Sequence, residues 1–160
     1  MTFEATLDKT AKVTTIIVTL LFMAIIIYGF AESSSTKSII YTSVFLSLTY
    51  VICWLLRPLS YTITDTELQI QRPIGKVIIK KQDIQSVDLL QESNIAGAIR
   101  TFGVGGLFGY YGKYYNQAFG SMTWYLTRND KPVLVTTNKS KILVSPDESK
   151  RFAEILRKIN

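Results

Sequence analysis

Residues 13–30 read VTTIIVTLLFMAIIIYGF and residues 39–56 read IIYTSVFLSLTYVICWLL, and neither run contains a charged side chain. Each run reaches the roughly 18 apolar residues that indicate a transmembrane helix. A helix on the surface of a soluble domain would carry a polar face, which both runs lack. The two runs therefore predict a membrane α-helical hairpin at the front of the chain.

The charges that flank the runs predict how the hairpin is oriented. Lys9 and Lys12 precede the first helix and Arg57 follows the second, whereas the short connection at residues 31–38 carries only Lys37. Because Lys and Arg concentrate on the cytoplasmic side, we predict both termini in the cytoplasm of a multi-pass protein of the cell (inner) membrane. A cleaved signal peptide is the alternative for the first run, although that run is longer than a usual signal core.

The chain is thereby divided into five predicted parts. These are a cytoplasmic segment (1–12), a transmembrane helix (13–30), an external loop (31–38), a second transmembrane helix (39–56) and a cytoplasmic domain (57–160). The net charge of +6 suits a domain that faces anionic headgroups. Its basic residues are scattered along the sequence, so we expect no nucleic-acid binding.

The composition argues against catalysis. The sequence has no histidine, and its one cysteine, Cys53, lies in the second apolar run. Histidine is the commonest general base and the commonest metal ligand. The sequence also shows no nucleophile–base pair and no metal-ligand spacing. We therefore predict a protein that is not an enzyme and that uses no cofactor and no metal.

Behind the hairpin, short segments alternate between apolar and polar residues and are separated by turn residues. Seven of these segments predict β-strands: residues 59–64, 68–71, 77–80, 84–90, 122–127, 132–137 and 141–144. Short strands joined by tight turns indicate an antiparallel sheet folded into a barrel or sandwich.

The end of the chain predicts an amphipathic helix. Ser145 is the expected N-cap and Pro146 the first helical residue. Four apolar residues then recur at helical spacing: Phe152, Ile155, Leu156 and Ile159. We expect this stripe to cap the open end of the barrel.

Three stretches of the domain are similar to a known group of sequences. They are YTITDTELQIQRPIGKVIIKKQDIQSV from residue 61, IRTFGVGGLFGYYGKYYN from residue 99 and ILVSPDESKRFAEIL from residue 142. In these stretches the chain resembles the bacterial families of pleckstrin-homology (PH) domains attached to membrane helices. The resemblance implies an α+β PH-like domain, with seven antiparallel strands capped by a C-terminal helix, placed at a membrane. It implies little about chemistry.

Residues 91–118 are predicted to interrupt the strands. This glycine-aromatic segment is too apolar for a solvated loop, and it lacks a phosphate-binding glycine motif, because Phe108 stands where the third glycine would be. We expect most of its rings to cover the barrel. The segment also supplies a candidate interaction surface for a partner: Arg100, Phe108, Tyr110, Tyr111, Lys113 and Tyr114.

Specific inositol-phosphate binding at the first strand turn is not predicted, because residues 65–67 are acidic in character. The pairs Lys80–Lys81 and Arg72/Lys76 predict only weak attraction to anionic lipid, worth about 1 kcal/mol per cation near the surface.

Together these features predict a noncatalytic, membrane-anchored interaction module with a protein- or lipid-binding surface at the cytoplasmic face. Its partners would be the lipid bilayer and another membrane or cytoplasmic protein. The alternative is a small structural or regulatory subunit of a membrane protein complex, bound through the helical hairpin. Ser43 and Ser47 are candidate helix-packing residues for that role, because small residues one turn apart let helices approach closely. We also expect the domain from about residue 58 to fold without the hairpin.

Overall fold

The computed structural model describes residues 1–32 and 36–158. Its helices are α1 (Lys9–Glu32), α2 (Thr36–Leu56), α3 (Glu92–Ile95) and α4 (Ser149–Lys158). Its strands are β1 (Thr2–Glu4), β2 (Ser60–Ile63), β3 (Glu67–Gln71), β4 (Lys76–Lys80), β5 (Ile84–Leu89), β6 (Ile99–Gly106), β7 (Gly109–Asn116), β8 (Gly120–Leu126), β9 (Val133–Thr137) and β10 (Lys141–Val144).

Helices α1 and α2 contain the two apolar runs. They have 24 and 21 residues, and their mean hydropathies of 2.4 and 2.0 make them long and apolar enough to cross a membrane. The hydroxyl groups of Thr19 and Tyr50 lie 2.8 Å apart and join the two helices. Both helices extend into the stretch predicted as the external loop, of which residues 33–35 lie outside the described residues.

The strands form two sheets rather than one barrel. The first has the order β1-β2-β3-β4, and the second has the order β5-β9-β10-β8-β7-β6. The predicted β-rich domain with a C-terminal helix is confirmed, but the predicted seven-stranded antiparallel barrel or sandwich is not. All seven predicted strands are present, and β1, β6 and β7 add to them, which gives sheets of four and six strands in the described part of the chain.

The second sheet also contains one parallel pair, β8 with β10. Consecutive strands β8 and β9 are therefore not neighbours, because β10 lies between them. The apolar run Ile142, Leu143 and Val144 of β10 is buried on both faces of the sheet. Such a run suits a central strand and would be exposed at an edge, which accounts for the departure from an all-antiparallel order.

One core lies between the two sheets, and α4 closes it. Its buried residues come from both sheets and the helix. Phe152 of α4 is fully buried and packs edge to face against Phe3 and Tyr61, with ring centroids 5.2 and 6.1 Å away. The C-terminal helix therefore packs on the sheets as predicted. Ile159 of the predicted stripe lies outside the described residues.

Helix α4 begins at Ser149, so the predicted N-cap at Ser145 is wrong. The Ser145 hydroxyl instead accepts a hydrogen bond from the backbone N–H of Thr127 at 2.8 Å, just beyond the ends of β10 and β8. Burial inside the domain gives this serine a partner that the local helix pattern does not reveal.

A second core covers the other face of the six-stranded sheet. Leu7 and Ala11, from the chain around the start of α1, pack there together with Ile95 of α3. The N-terminal segment also supplies β1, in which Phe3 lies opposite Tyr61 of β2. The chain before α1 is thus packed into the domain that follows α2.

The domain has one end near the helices, here called the proximal end, and an opposite, distal end. Strand β2 starts just after α2, and the backbone N–H of Ile74, in the β3–β4 turn, donates to the Leu55 carbonyl of α2 at 3.3 Å. The β3–β4 turn is therefore proximal. The turn at residues 64–66 is distal, because β3 and β4 lead away from the helices over about 13 Å.

Candidate functional site

Residues 99–116 of the glycine-aromatic segment form a β-hairpin, so the predicted interruption of the strands is wrong there. Strands β6 and β7 pair in antiparallel fashion, with Gly103 opposite Gly112. These glycines have φ angles of 113° and 124°, and a Cβ on either would overlap the backbone of the other strand. Only glycine can occupy this close crossing, and the same glycines break the apolar–polar alternation by which a strand is recognised in a sequence.

The turn of this hairpin contacts both long helices. The backbone N–H of Phe108 donates to the Thr15 hydroxyl of α1 at 2.9 Å. Its ring packs edge to face on Tyr50 of α2, with centroids 5.0 Å apart. The Arg57 guanidinium, just after α2, lies 5.7 Å from the centre of the same ring. Phe108 is thus buried where the domain meets the helices.

Two tyrosines of β7 strengthen this junction. The Tyr111 hydroxyl donates to the Cys53 carbonyl of α2 at 2.5 Å. The Tyr110 hydroxyl lies 3.3 Å from both carboxylate oxygens of Asp8, just before α1. Burial and then the negative charge of Asp8 raise the pKa of Tyr110 to about 12. We define the docking hairpin as Phe108, Tyr110 and Tyr111. Together these residues contact α1, α2 and Asp8, the residue that precedes α1.

Tyr114 packs inside the domain. Its ring stacks on Trp124 of β8, with centroids 3.9 Å apart and planes 5° from parallel, and its hydroxyl donates to the Val104 carbonyl at 2.8 Å. Four of the six residues chosen from the sequence, Phe108, Tyr110, Tyr111 and Tyr114, are therefore buried in the single chain. The other two, Arg100 and Lys113, are exposed, on opposite faces of the hairpin.

An exposed apolar surface lies beside Lys113. Phe102 is 78% exposed and lies opposite Lys113 in the register, while Ile99 and Tyr115, opposite each other, are 66% and 47% exposed. We call these four residues the β6–β7 face. A shift in register between Arg100 and Phe102 brings Ile99 and Phe102 to the same side, and sequence periodicity alone does not predict this shift.

The β6–β7 face combines three exposed apolar or aromatic side chains with one cation, Lys113. The Lys113 ammonium donates to the Thr123 hydroxyl of β8 at 2.7 Å, which holds its stem along the sheet. Strand β6 is an edge strand of the six-stranded sheet, which extends there beyond the four-stranded sheet. The rings of Phe102 and Tyr115 are therefore left uncovered. Exposed apolar patches with a polar rim are typical of protein-binding surfaces.

The helical hairpin has a feature of its own near the predicted packing serines. The Ser43 hydroxyl is shielded from solvent and has no hydrogen-bond partner among the described residues. A shallow groove of about 370 Å³ runs beside it, lined by Ser43, Val44, Ser47, Leu48 and Val51. Ser43 and Ser47 thus lie together on one side of α2.

The two pairs of cations chosen from the sequence lie at opposite ends of β4. Lys80 and Lys81 are distal, where the buried Lys81 ammonium donates to the Asp65 carbonyl at 3.1 Å beside a cleft of about 290 Å³ that both lysines line. Arg72 and Lys76 are proximal, around the β3–β4 turn. The two pairs therefore differ in their distance from α1 and α2. Among the described residues no group of His, Cys, Asp or Glu could hold a metal ion.

Two packed sheets closed by a C-terminal helix define a β-rich domain of the PH-like class, here preceded by a helical hairpin. The sequence model described as Bacterial PH domain matches residues 59–160, and the chain belongs to that family. PH domains are generally noncatalytic interaction modules. No curated protein and no solved structure matched the chain.

Proposed function

We propose that this protein is a noncatalytic interaction module anchored in the cell membrane by α1 and α2, with both termini in the cytoplasm. The observation that carries the proposal is the docking hairpin, whose Phe108 contacts Thr15 of α1 and Tyr50 of α2. A domain held by both helices keeps a fixed orientation at the bilayer surface. Tethering raises the effective concentration of such a domain for partners in the same membrane.

The placement of the N-terminal strand supports the proposed topology. Pairing of β1 with β2 requires both to lie on the same side of the hairpin, and the flanking Lys9, Lys12 and Arg57 favour the cytoplasmic side. Cysteine labelling tests this in a Cys53→Ser background. We expect Ser38→Cys to react with an impermeant reagent in intact cells and Lys139→Cys to react only after lysis. Labelling of position 139 in intact cells would contradict the topology.

We propose the β6–β7 face as the surface that binds a protein partner. Its rings lie on strands that lead away from the helices, so they face other proteins more readily than lipid. A photo-crosslinking residue at Phe102 in native membranes should give a discrete adduct, and Ile99→Asp should weaken that adduct. The matched control is the same residue at Gln85, an exposed position on β5. Equal labelling at the two positions would count against a specific surface.

The second candidate function is a small subunit of a membrane complex bound through the hairpin. The shielded Ser43 hydroxyl and the groove beside it favour this candidate, because another helix could supply both a hydrogen-bond partner and close packing. A crosslinking residue at Val44, which is 59% exposed, separates the candidates. Adducts at Val44 without adducts at Phe102 would favour the subunit.

A further inference from the structure

Two arginines at the proximal end each have a buried Nε atom without a hydrogen-bond partner among the described residues. Arg57 follows α2 and Arg72 follows β3. Neither makes an ion pair with another described residue. Arg128, by contrast, contacts the carboxylates of Asp130 and Asp147 at 2.5 and 3.4 Å.

The two arginines lie on segments of the chain that contact each other. Tyr111 and Tyr125 are directly opposite residues on β7 and β8. Burial raises the pKa of each tyrosine, and the positive charge of Arg57 opposes the rise at Tyr111 as that of Arg72 does at Tyr125. The hydrogen bond from Ile74 to Leu55 also brings the turn after Arg72 against the last turn of α2.

The surroundings of the pair suit the boundary between lipid and water. The Arg57 guanidinium carbon lies 5.5 Å from the centre of the Trp54 ring, and Trp prefers the membrane interface. Ile74, at the tip of the β3–β4 turn, is 53% exposed, and the exposed Lys76 adds a third cation nearby. Because the apolar run of α2 ends at Leu56, Arg57 falls at the depth of the headgroups.

We propose that Arg57 and Arg72 together bind the phosphate of an anionic lipid in the leaflet next to the domain, an inference that rests on the proposed membrane anchoring. Guanidinium groups form paired hydrogen bonds to phosphate oxygens, which would supply acceptors for both buried Nε atoms. Phospholipids carry phosphate at this depth of a bilayer, and the two positive charges favour a lipid with a net negative charge. The bound lipid would hold the β3–β4 turn at the membrane surface.

The test uses the full chain in phosphatidylcholine nanodiscs that contain a minor fraction of phosphatidylglycerol with brominated acyl chains. Bromine quenches nearby indoles. Trp54 adjoins Arg57, while Trp124 is buried in the domain and gives a constant background. Binding enriches the anionic lipid at Trp54, so we expect more quenching with brominated phosphatidylglycerol than with the same fraction of brominated phosphatidylcholine.

Variants then assign the preference to the two arginines. Arg72→Gln should lower the relative association constant about fivefold, and Arg57→Gln with Arg72→Gln about 25-fold. The control Lys80→Gln with Lys139→Gln removes the same charge from exposed distal positions and should keep the wild-type preference. Replacing both arginines by lysine keeps the charge but removes the planar guanidinium groups that form paired hydrogen bonds. This variant should restore the preference for the anionic lipid only in part.

Several results would overturn the inference. They are a wild-type preference retained in Arg72→Gln and the double glutamine variant, an equal loss in the distal control, and full recovery with the lysine pair. Displacement of the lipid by millimolar inorganic phosphate would indicate a site for soluble phosphate instead. Alkaline extraction of the same membranes separates the two proposals. A chain that is extracted contradicts the anchoring, whereas a chain that is retained but shows no lipid preference contradicts only the arginine site.

Discussion

At the scale of the residue, the aromatic side chains of β7 are divided by the alternation of a strand. Tyr110 and Tyr114 point to the face that holds the second core, whereas Tyr111 and Tyr115 point to the other. On that other face Tyr111 is covered by α2, while Tyr115 lies farther from the turn and is exposed. Distance from the hairpin turn therefore decides which rings dock and which stay available to a partner.

The first prediction concerns Gly106, which is buried with a φ of 112°. A Cβ there would lie 3.0 Å from Thr14 Cγ2 of α1, and a β-branched residue is strained at positive φ. We expect Gly106→Val to destabilise the protein by about 1–3 kcal/mol, measured as the free energy of unfolding in detergent. Gly97→Val is the matched control, since Gly97 also has a positive φ but open space around it. An equal loss in the two variants would show that contact with α1 contributes nothing.

The second prediction concerns pH. Tyr61 is fully buried, its hydroxyl donates to the Tyr125 carbonyl at 2.6 Å, and burial raises its pKa to about 12. An unfolded tyrosine titrates near a pKa of about 10, so the neutral form favours the folded state. This stability is complete below about pH 10 and is lost as the pH rises through 12.

Unfolding midpoints of the wild type and Tyr61→Phe between pH 9 and 12 test this sign. The variant should be less stable at neutral pH but should lose less stability over the alkaline range. Tyr115→Phe, at an exposed position, should follow the wild type. Parallel pH profiles for the wild type and Tyr61→Phe would contradict the burial argument.

At the scale of the element, the third prediction concerns the attachment of α4. Phe152 contacts Phe3 and Tyr61 across the core between the sheets. Truncation of a buried phenylalanine typically costs about 3–5 kcal/mol, so Phe152→Ala should lower the free energy of unfolding by that amount. The exposed neighbour Lys150→Ala should change it by no more than about 0.5 kcal/mol. An unchanged denaturant midpoint for Phe152→Ala would mean that α4 does not hold the core closed.

Seven strands and α4 could be predicted because each carries a local signal, either alternation or helical spacing of apolar residues. Strands β6 and β7 could not be predicted, because glycines such as Gly103 and Gly112 are typical of a loop in a sequence. Their role in the strands depends on the pairing of Gly103 with Gly112, which only the structure shows. Strand β1 is three residues long, too short for any periodicity. Its partner in the sheet lies beyond both long helices.

The sequence predicts which residue types form the candidate site but not which of these residues are buried. The sequence indicates that a partner surface or a docking surface lies among the aromatic residues, but burial depends on the position of the helices. Phe102 was missed because nothing local separates it from Phe108, although one is 78% and the other 7% exposed. In the sequence Arg57 indicates only the orientation of the hairpin, because its buried Nε atom without a hydrogen-bond partner is a property of the packed structure.

At the scale of the whole molecule, the fourth prediction concerns the fragment 58–160. It lacks Phe3, which is only 4% exposed in the core, and it leaves the β2 edge unpaired. We expect this fragment to unfold at a lower temperature than a fusion in which residues 1–8 are joined through a glycine linker to residue 58. The measurement is the thermal midpoint of both soluble proteins by circular dichroism.

The control for the fragment is the same fusion with Phe3→Ala, which should lose most of the gain. Equal midpoints for the fragment and the fusion would support the simpler expectation from sequence, that the domain from residue 58 is self-sufficient. A higher midpoint for the fusion would place the functional boundary of the domain before α1.

The pairing of β1 with β2 also bears on biogenesis. Thr2 and Thr62 face each other across 60 positions of sequence, so at about 5–20 residues per second the first strand waits for seconds on the ribosome before its partner is made. In the proposed topology both helices must insert before β1 and β2 can pair. If the second helix failed to insert, β1 and β2 would be left on opposite sides of the membrane and the sheet would lack its first strand. Completion of the four-stranded sheet therefore depends on the insertion of both helices.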